Sequence, residues 1–419
     1  MCWNGLILNL LINRMSELNN IPKHWQVKKL GEVADYINGR AFKPTEWEGA
    51  GIPIIRIQNL NKSDAAYNYS TKEFETKYEL KKGDLLYAWS ASLGVYIWQG
   101  EKAWLNQHIF KVVPKSICNK KFLFYTLDKI TAELYSKAHG SGMVHVTKGK
   151  FENTHIFLPP LPEQLAIVSK IEELLSDLEN GKQQLLTAQQ QLKVYRQSLL
   201  KAAFDGRLTN EGVNEGVLPE GWKWVKLKEV SNEISDGDHQ APPKSNEGIP
   251  FITISNVNKN TNKIDFTETF KVDVIYYSNL KYNRKPQKGD VLYTVTGSFG
   301  IPILIDFDKE FCFQRHIGLI RPKEIINQKW LFYLLQSPNI YSQAKNAATG
   351  TAQKTVSLSS LRNFEIPYCT LSEQHQIVEI LESKLTICDK IAETISQSLL
   401  QADTLKQSIL KKAFEGKLV

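Results

Sequence analysis

The chain has 419 residues, of which 42% are hydrophobic and 23% charged, and it carries a formal net charge of +8 at pH 7. These proportions exclude disorder for most of the chain and leave room for two or more domains with cores of their own. Five cysteines (Cys2, Cys118, Cys312, Cys369 and Cys388) form no C-x-x-C pair and stand at no zinc-ligand spacing, which predicts reduced thiols in a cytoplasmic protein without a metal site.

Residues 1–15, "MCWNGLILNLLINRM", hold an apolar run too short to span a bilayer, with no basic segment before it and no small-residue cleavage site. They are expected to be an extension ahead of a natural start at Met15. Residues 16–160 alternate short β-rich runs, such as Ile52–Ile57 and Leu85–Trp89, with Gly, Pro, Asn and Asp, and an amphipathic helix is expected near 121–138. This makes an α+β domain.

From 161 to 209 the period changes. Ile171, Leu174, Leu178, Gly181, Leu185, Ala188, Leu192, Tyr195, Leu199 and Ala202 recur at steps of three and four, which predicts one long helix opened by Pro162 and Glu163 and stopped at Gly206. Residues 210–217 read as a linker. A second α+β domain is expected over 218–368, with its helix near 329–346. Residues 369–419 form a second long helix, opened by Ser372 and Glu373 and stopped at Gly416. Its seam is Leu381, Cys388, Ile391, Ile395, Ala402, Leu405 and Ile409, interrupted by Lys384, Ser398 and Lys412.

The second half repeats the first. "GIPIIRIQNL" (51–60) recurs as "GIPFITISNV" (248–257), and "KKGDLLYAWSASLG" (81–94) as "QKGDVLYTVTGSFG" (287–300). "LPEQLAIV" (161–168) recurs as "LSEQHQIV" (371–378), and "KAAFDGRL" (201–208) as "KKAFEGKL" (411–418). A helix of about 43 residues is roughly 65 Å long and cannot leave an apolar stripe in water, so the two helices are expected to cover each other antiparallel. Two α+β domains would then be related by an approximate twofold axis. Duplex DNA has the same pseudo-symmetry. The positive charge also lies on the domains: counting side chains, residues 16–160 carry +6 and 218–368 carry +4, whereas 161–209 and 369–419 carry 0 and −1. That distribution suits a polyanionic partner.

Catalytic chemistry is not evident. "LPPL" (158–161) lacks the amide and aromatic partners of a methyltransferase motif. "HGSGM" (139–143) follows a helix, where a cofactor-binding glycine loop should precede one, and no nucleotide-binding loop occurs. Asp64, Glu75 and Lys77 make only a chance-level nuclease triplet. His108 and His316 recur in equivalent runs and are expected to be strand-end histidines satisfied by backbone.

Base edges require paired donors and acceptors, and phosphates require cations. The candidate DNA-binding residues come from matched loops. In the first domain they are Arg56, Gln58, Asn59, Ser90, Ser92, Ser141, His145 and Lys148. In the second they are Thr253, Ser255, Asn256, Thr296, Ser298, Thr351, Gln353 and Lys354. Read singly, each also fits an ordinary solvated turn.

Taken in order and twice over, the "LPEQ…IV" and "LSEQ…IV" helix starts, the "KAAFDGRL" and "KKAFEGKL" helix ends and the shared strand motifs resemble the specificity subunit of type I restriction-modification enzymes. The resemblance covers nearly all of the chain after residue 15. It implies a non-catalytic, cofactor-free subunit with two target recognition domains and two long antiparallel coiled-coil helices. It also implies binding to double-stranded DNA, two methyltransferase subunits and, in the full complex, motor-nuclease subunits, with no membrane involved. Each domain would read one half of a bipartite, asymmetric target and the helices would set the unread gap. The chain departs from the pattern where Leu161-Pro162 becomes Leu371-Ser372 and Pro159-Pro160 becomes Pro367-Tyr368. Two other readings are a coiled-coil scaffold displaying protein- or glycan-binding domains and a self-sufficient enzyme; the charge on the domains speaks against the first and the missing motifs against the second.

Overall fold

A computed structural model describes residues 21–419, except 63, 138–143, 146, 215, 240, 241 and 352, and except the side chains of 91, 136, 137, 144 and 145. The expected extension at 1–15, the "HGSGM" loop and Ser141 lie outside the described residues. The chain divides into two compact units, residues 1–185 with 397–419, and residues 186–396. Each unit therefore contains one α+β domain and parts of both long helices.

Within the first unit, Ala34–Asn38, Ile109–Pro114, Leu85–Ala88 and Gly94–Ile97 lie side by side in an antiparallel sheet. The second unit builds the same sheet from Ser231–Asp236, Ile317–Pro322, Val291–Thr294 and Pro302–Leu304. The strand after each KGD is buried on both faces, and its alternation explains why. Leu85 and Tyr87 pack with Phe122, Leu123 and Leu127, while Leu86 packs with Ile55, Leu80 and Leu105. In the second unit Val291 and Tyr293 take the helical side, and Leu292 packs with Ile252 and Phe313.

The KGD aspartate caps the turn that enters this strand. Asp84 accepts the Lys81 N–H and Asp290 the Gln287 N–H, both at 2.8 Å. Its cation differs between the units. Asp84 pairs with Lys111 at 2.8 Å, and Asp290 with Arg321 through two bonds of 2.7 and 2.9 Å. Arg321 aligns with Val113, two residues beyond Lys111, so the cation has moved along one face of the matching strand.

A second sheet in each unit has a parallel pair: Ile52–Ile55 with Ala103–Leu105, and Ile249–Ile252 with Cys312–Phe313. A two-stranded antiparallel ribbon closes each domain, Gln26–Lys29 against His155–Leu158 and Lys223–Lys226 against Glu365–Tyr368. The ribbons deliver the chain to the long helices, Leu161–Phe204 and Leu371–Phe414, each an uninterrupted 44 residues. Gly181 does not break the first.

The glutamine of each helix-start motif is fully buried. Gln164 accepts the Asn119 N–H at 2.7 Å and donates to the carbonyls of Ile117 (3.0 Å) and Pro159 (2.8 Å). Gln374 repeats this with Asn327 N–H (2.8 Å), Ile325 (3.2 Å) and Cys369 (3.0 Å). At the other end, Phe414 packs on Phe122 within the first unit and Phe204 on Trp330 within the second. Gly206 and Gly416 stop the helices at φ of 80° and 66°.

Two expectations need correction. The helix expected at 329–346 is two helices, Gln328–Leu335 and Pro338–Ala347, because Pro338 cannot continue the first and Ser337 caps the second. In the seam, Tyr195, Ile391 and Leu405 are exposed, whereas Lys384 and Ser398 are half-buried. A single helix pair covers only a narrow line, and residues one step away from it face solvent. Arg196, next to Tyr195, reaches Asp389 within the second unit, and Lys182 reaches Asp403 at 2.8 Å within the first. In each unit the helix segments run antiparallel: Ile167 and Ile171 share a core with Leu410 and Phe414, and Leu199 and Phe204 share one with Ile377 and Leu381.

Among the described residues, no helix is long and apolar enough to cross a membrane. Cys118, Cys312, Cys369 and Cys388 are unbridged and buried, and burial pushes the first three thiols up to about 12.

Candidate nucleic-acid interface

Most of the matched loops meet along one edge in each unit, linked strand end to strand end by backbone hydrogen bonds. In the first unit Asn106 N–H donates to Ile55, the residue before Arg56, and Trp89 N–H donates to His108. Ser90 then pairs with His145 and Ala91 with Val144 in a short antiparallel ladder. The second unit repeats each step. Gln314 N–H donates to Ile252, Val295 N–H donates to His316, and Thr296 pairs with Thr355. Further bonds, Gly297 N–H to Lys354 and Val356 N–H to Val295, hold the 349–356 loop to the 295–297 segment.

A fifth segment joins this edge. Arg40 bridges Asn106 and Asp238 bridges Gln314. The preceding residue must be glycine in both units, since a Cβ on Gly39 would lie 2.0 Å from the Asn106 carbonyl oxygen and one on Gly237 would lie 1.9 Å from that of Phe313. The charge at this position is inverted between the units. Arg40 forms a two-bond pair with Glu46 at 2.7 and 2.9 Å and lies over the Phe74 ring, and it draws the Glu46 carboxyl down to about 2. Asp238 instead accepts from Arg284 at 2.9 Å and from the Tyr276 hydroxyl.

The candidate residues divide by what their side chains already do. Gln58, Lys148, Ser255, Thr351, Gln353 and Lys354 are exposed, and Arg56, Ser92, Thr253 and Ser298 are half-buried. Lys148 also lies 3.6 Å from Glu152. For His145 only the backbone is described. Ser90 and Thr296 are buried in the ladder, with the Thr355 hydroxyl donating to that of Thr296 at 3.3 Å.

Asn59 and Asn256, two of the candidate residues, hold their own turns together. Asn59 accepts the Arg56 N–H and donates to the carbonyls of both Ala65 and Ala66. Asn256 accepts the Thr253 N–H and hydroxyl and donates to Glu268. Both are buried, and Asn59 has no donor left for a base.

The histidines were expected to be satisfied by backbone, and they are not. His108 Nε2 meets the Gln107 amide at 3.1 Å, and its Nδ1 is buried without a partner. His316 Nδ1 meets the Gln314 amide. Burial, with the Arg315 charge, holds His316 below the ordinary imidazole value, so at pH 7 its ring is neutral and offers one donor and one acceptor. Both belong to the turns "NQH" and "QRH", which sit in the middle of the edge and add Gln107, Gln314 and Arg315 as polar groups.

This arrangement suits recognition. The edge presents amides, hydroxyls and cations from loops on a rigid sheet, the groups that read base edges and phosphates. Among the described residues no group of three or more His, Cys, Asp or Glu is placed to hold a metal ion. The acid-x-Lys run is a surface ion pair, Glu75–Lys77 at 2.6 Å.

The chain matches the family described as the type I restriction modification DNA specificity domain twice, over residues 22–188 and 219–401. It is 28% identical over 437 residues to the type I restriction enzyme EcoBI specificity subunit of Escherichia coli, covering 100% of this chain and 91% of that protein. It is also 28% identical over 423 residues to the MjaVIII specificity subunit of Methanocaldococcus jannaschii, covering 95% and 94% respectively. Among solved structures, the HsdS subunit from Thermoanaerobacter tengcongensis has the same fold, with a TM-score of 0.61 at 23% identity over 95% of this chain and 98% of that one. A chain solved for complex assembly and conformational transition of the type I R-M system gives a TM-score of 0.69 at 22% identity, over 95% and 99%.

Proposed function

We propose, from the premise that this chain belongs to the type I restriction modification DNA specificity family, whose members are non-catalytic specificity subunits, that each of its units reads one half of a bipartite, asymmetric DNA target. The observation that carries this reading is one edge built twice with different polar groups. Arg56 and Gln58 stand where the second unit has Thr253 and Ser255, Gln107 where it has Arg315, and Arg40 where it has Asp238. A common backbone frame with divergent donors and acceptors is what two different half-sites require.

The exposed members of the candidate set, Gln58, Lys148, Ser255, Thr351, Gln353 and Lys354, are the proposed first contacts, with Arg56, Ser92, Thr253 and Ser298 behind them. Ser141 and His145 belong to the same loop series. The long helices set the gap and present apolar side chains to partners: Leu186, Val194, Tyr195, Ile387 and Ile391 are each more than 40% exposed. Two methyltransferase subunits are the proposed occupants of such helix faces, with motor-nuclease subunits joining in the full complex.

Co-expression with the cognate methyltransferase subunit, followed by mapping of methylated adenines, tests the proposal. The pair is expected to methylate one asymmetric site with a fixed unread gap, and the purified chain alone to methylate nothing. Methyl transfer by the single chain, or a site without a gap, contradicts it.

A further inference from the structure

Beside the reading edge of the second unit lies an open groove of about 660 Å³, lined in part by Gln197, Lys259, Tyr341, Ser342 and Lys345. Its lining includes Gly300–Pro302, which start two residues after Ser298 of the reading loop, and residues of the helix Pro338–Ala347. Two lysines and no carboxylate line it. Both lysines are exposed, and neither makes an ion pair among the described residues.

The groove has a fixed frame. Lys259 is carried by the turn between Val257–Asn258 and Lys263–Ile264, where the Asn258 side chain accepts the N–H groups of Asn260 and Thr261. On the other side, the Tyr341 ring stacks on Phe299 with an interplanar angle of 17°. Lys345 follows Tyr341 by four residues and so lies on the same helix face.

We propose that this groove is a phosphate track: Lys259 and Lys345 hold the DNA backbone leading away from the half-site read by the second unit, without reading sequence. The inference rests on the DNA-reading function and adds a positioning surface to it. Two cations on a concave wall, with a hydroxyl at Ser342 and no base-reading fork, bind charge and not base identity.

The test uses the full chain in complex with its methyltransferase subunit, a mixed-sequence duplex as probe, and the double substitution Lys259→Gln/Lys345→Gln. Each lost phosphate contact lowers the slope of log K against log salt by about 0.9, so the double variant should lose about 1.8. Its disadvantage against wild type should then change about twelvefold across a fourfold range of salt. The methylated sequence mapped in cells should stay the same. As a control, Lys329→Gln removes an exposed lysine that is already paired with Glu382 at 2.7 Å and should leave the slope unchanged. An unchanged slope in the double variant, an equal loss in the control, or an altered methylated sequence each overturns the track. Failure of the wild-type complex to bind the duplex would instead count against the DNA-reading function itself.

Discussion

Replacing Gln374 by leucine should destabilise the second unit by about 3–6 kcal/mol. The side chain is fully buried and makes three hydrogen bonds, to Asn327 N–H, Ile325 C=O and Cys369 C=O. Leucine fills nearly the same volume, so little of the effect comes from a cavity. The loss comes from one donor and two acceptors left without partners, each costing about 1–3 kcal/mol, with the lower part of the range applying where water reaches the loop. Gln374→Glu does not rescue the site, because it sets a carboxylate against two carbonyls. Hydrogen exchange on the full chain is the suitable measurement, since two units need not unfold together. Protection should fall around 325–335 and 369–381 and persist in the first unit. Gln164→Leu should give the reciprocal pattern. A loss below about 1 kcal/mol would show that the motif glutamine does not bind helix to domain.

Arg321→Met should cost about 3–5 kcal/mol, because it strands the Asp290 carboxylate in the core. Asp290 is 2% exposed, and its carboxylate keeps the Gln287 N–H as a hydrogen-bond donor. Arg321 also donates to the Lys285 carbonyl at 3.1 Å and lies 4.3 Å from the Tyr282 ring centroid, so lysine cannot replace its fork and its stacking together. The double substitution Arg321→Met/Asp290→Asn should recover most of the loss, since a neutral amide keeps an acceptor for the Gln287 N–H and removes the stranded charge. Lys111→Met should cost less, because the Asp84–Lys111 pair is partly open to solvent. Thermal unfolding of the three variants measures the ordering. If Arg321→Met and Lys111→Met cost the same, burial does not govern the pair.

The sequence made some of this legible because it states the same information twice. Matching "LPEQ" to "LSEQ" and "KAAFDG" to "KKAFEG" placed both long helices within a few residues, and the aligned strand motifs pointed to the loops of the candidate edge. The loops then met because equivalent strands end at the same edge. Bonding partners were not legible. Asn59 and Asn256 have the chemistry of readers, but their donors go to carbonyls six to twelve residues away, and only the folded turn creates those partners. His108 and His316 were missed as polar groups of the edge because a single histidine does not announce the glutamine beside it. Position 40 against 238 was missed although both follow a glycine; the unequal charges hid their equivalence. The seam was partly misread because a period of three and four does not say whether Tyr195 or Arg196 faces the partner helix.

The central claim is that two separate edges read two separate half-sites, and exchange of one domain tests it most directly. Residues 16–160 would be replaced by the corresponding domain of another family member, and the hybrid co-expressed with the same methyltransferase subunit before methylated adenines are mapped. The expected map has one half-site replaced, with the other half-site and the unread gap unchanged. A map in which both halves change together, or in which neither does, would contradict independent reading by the two units.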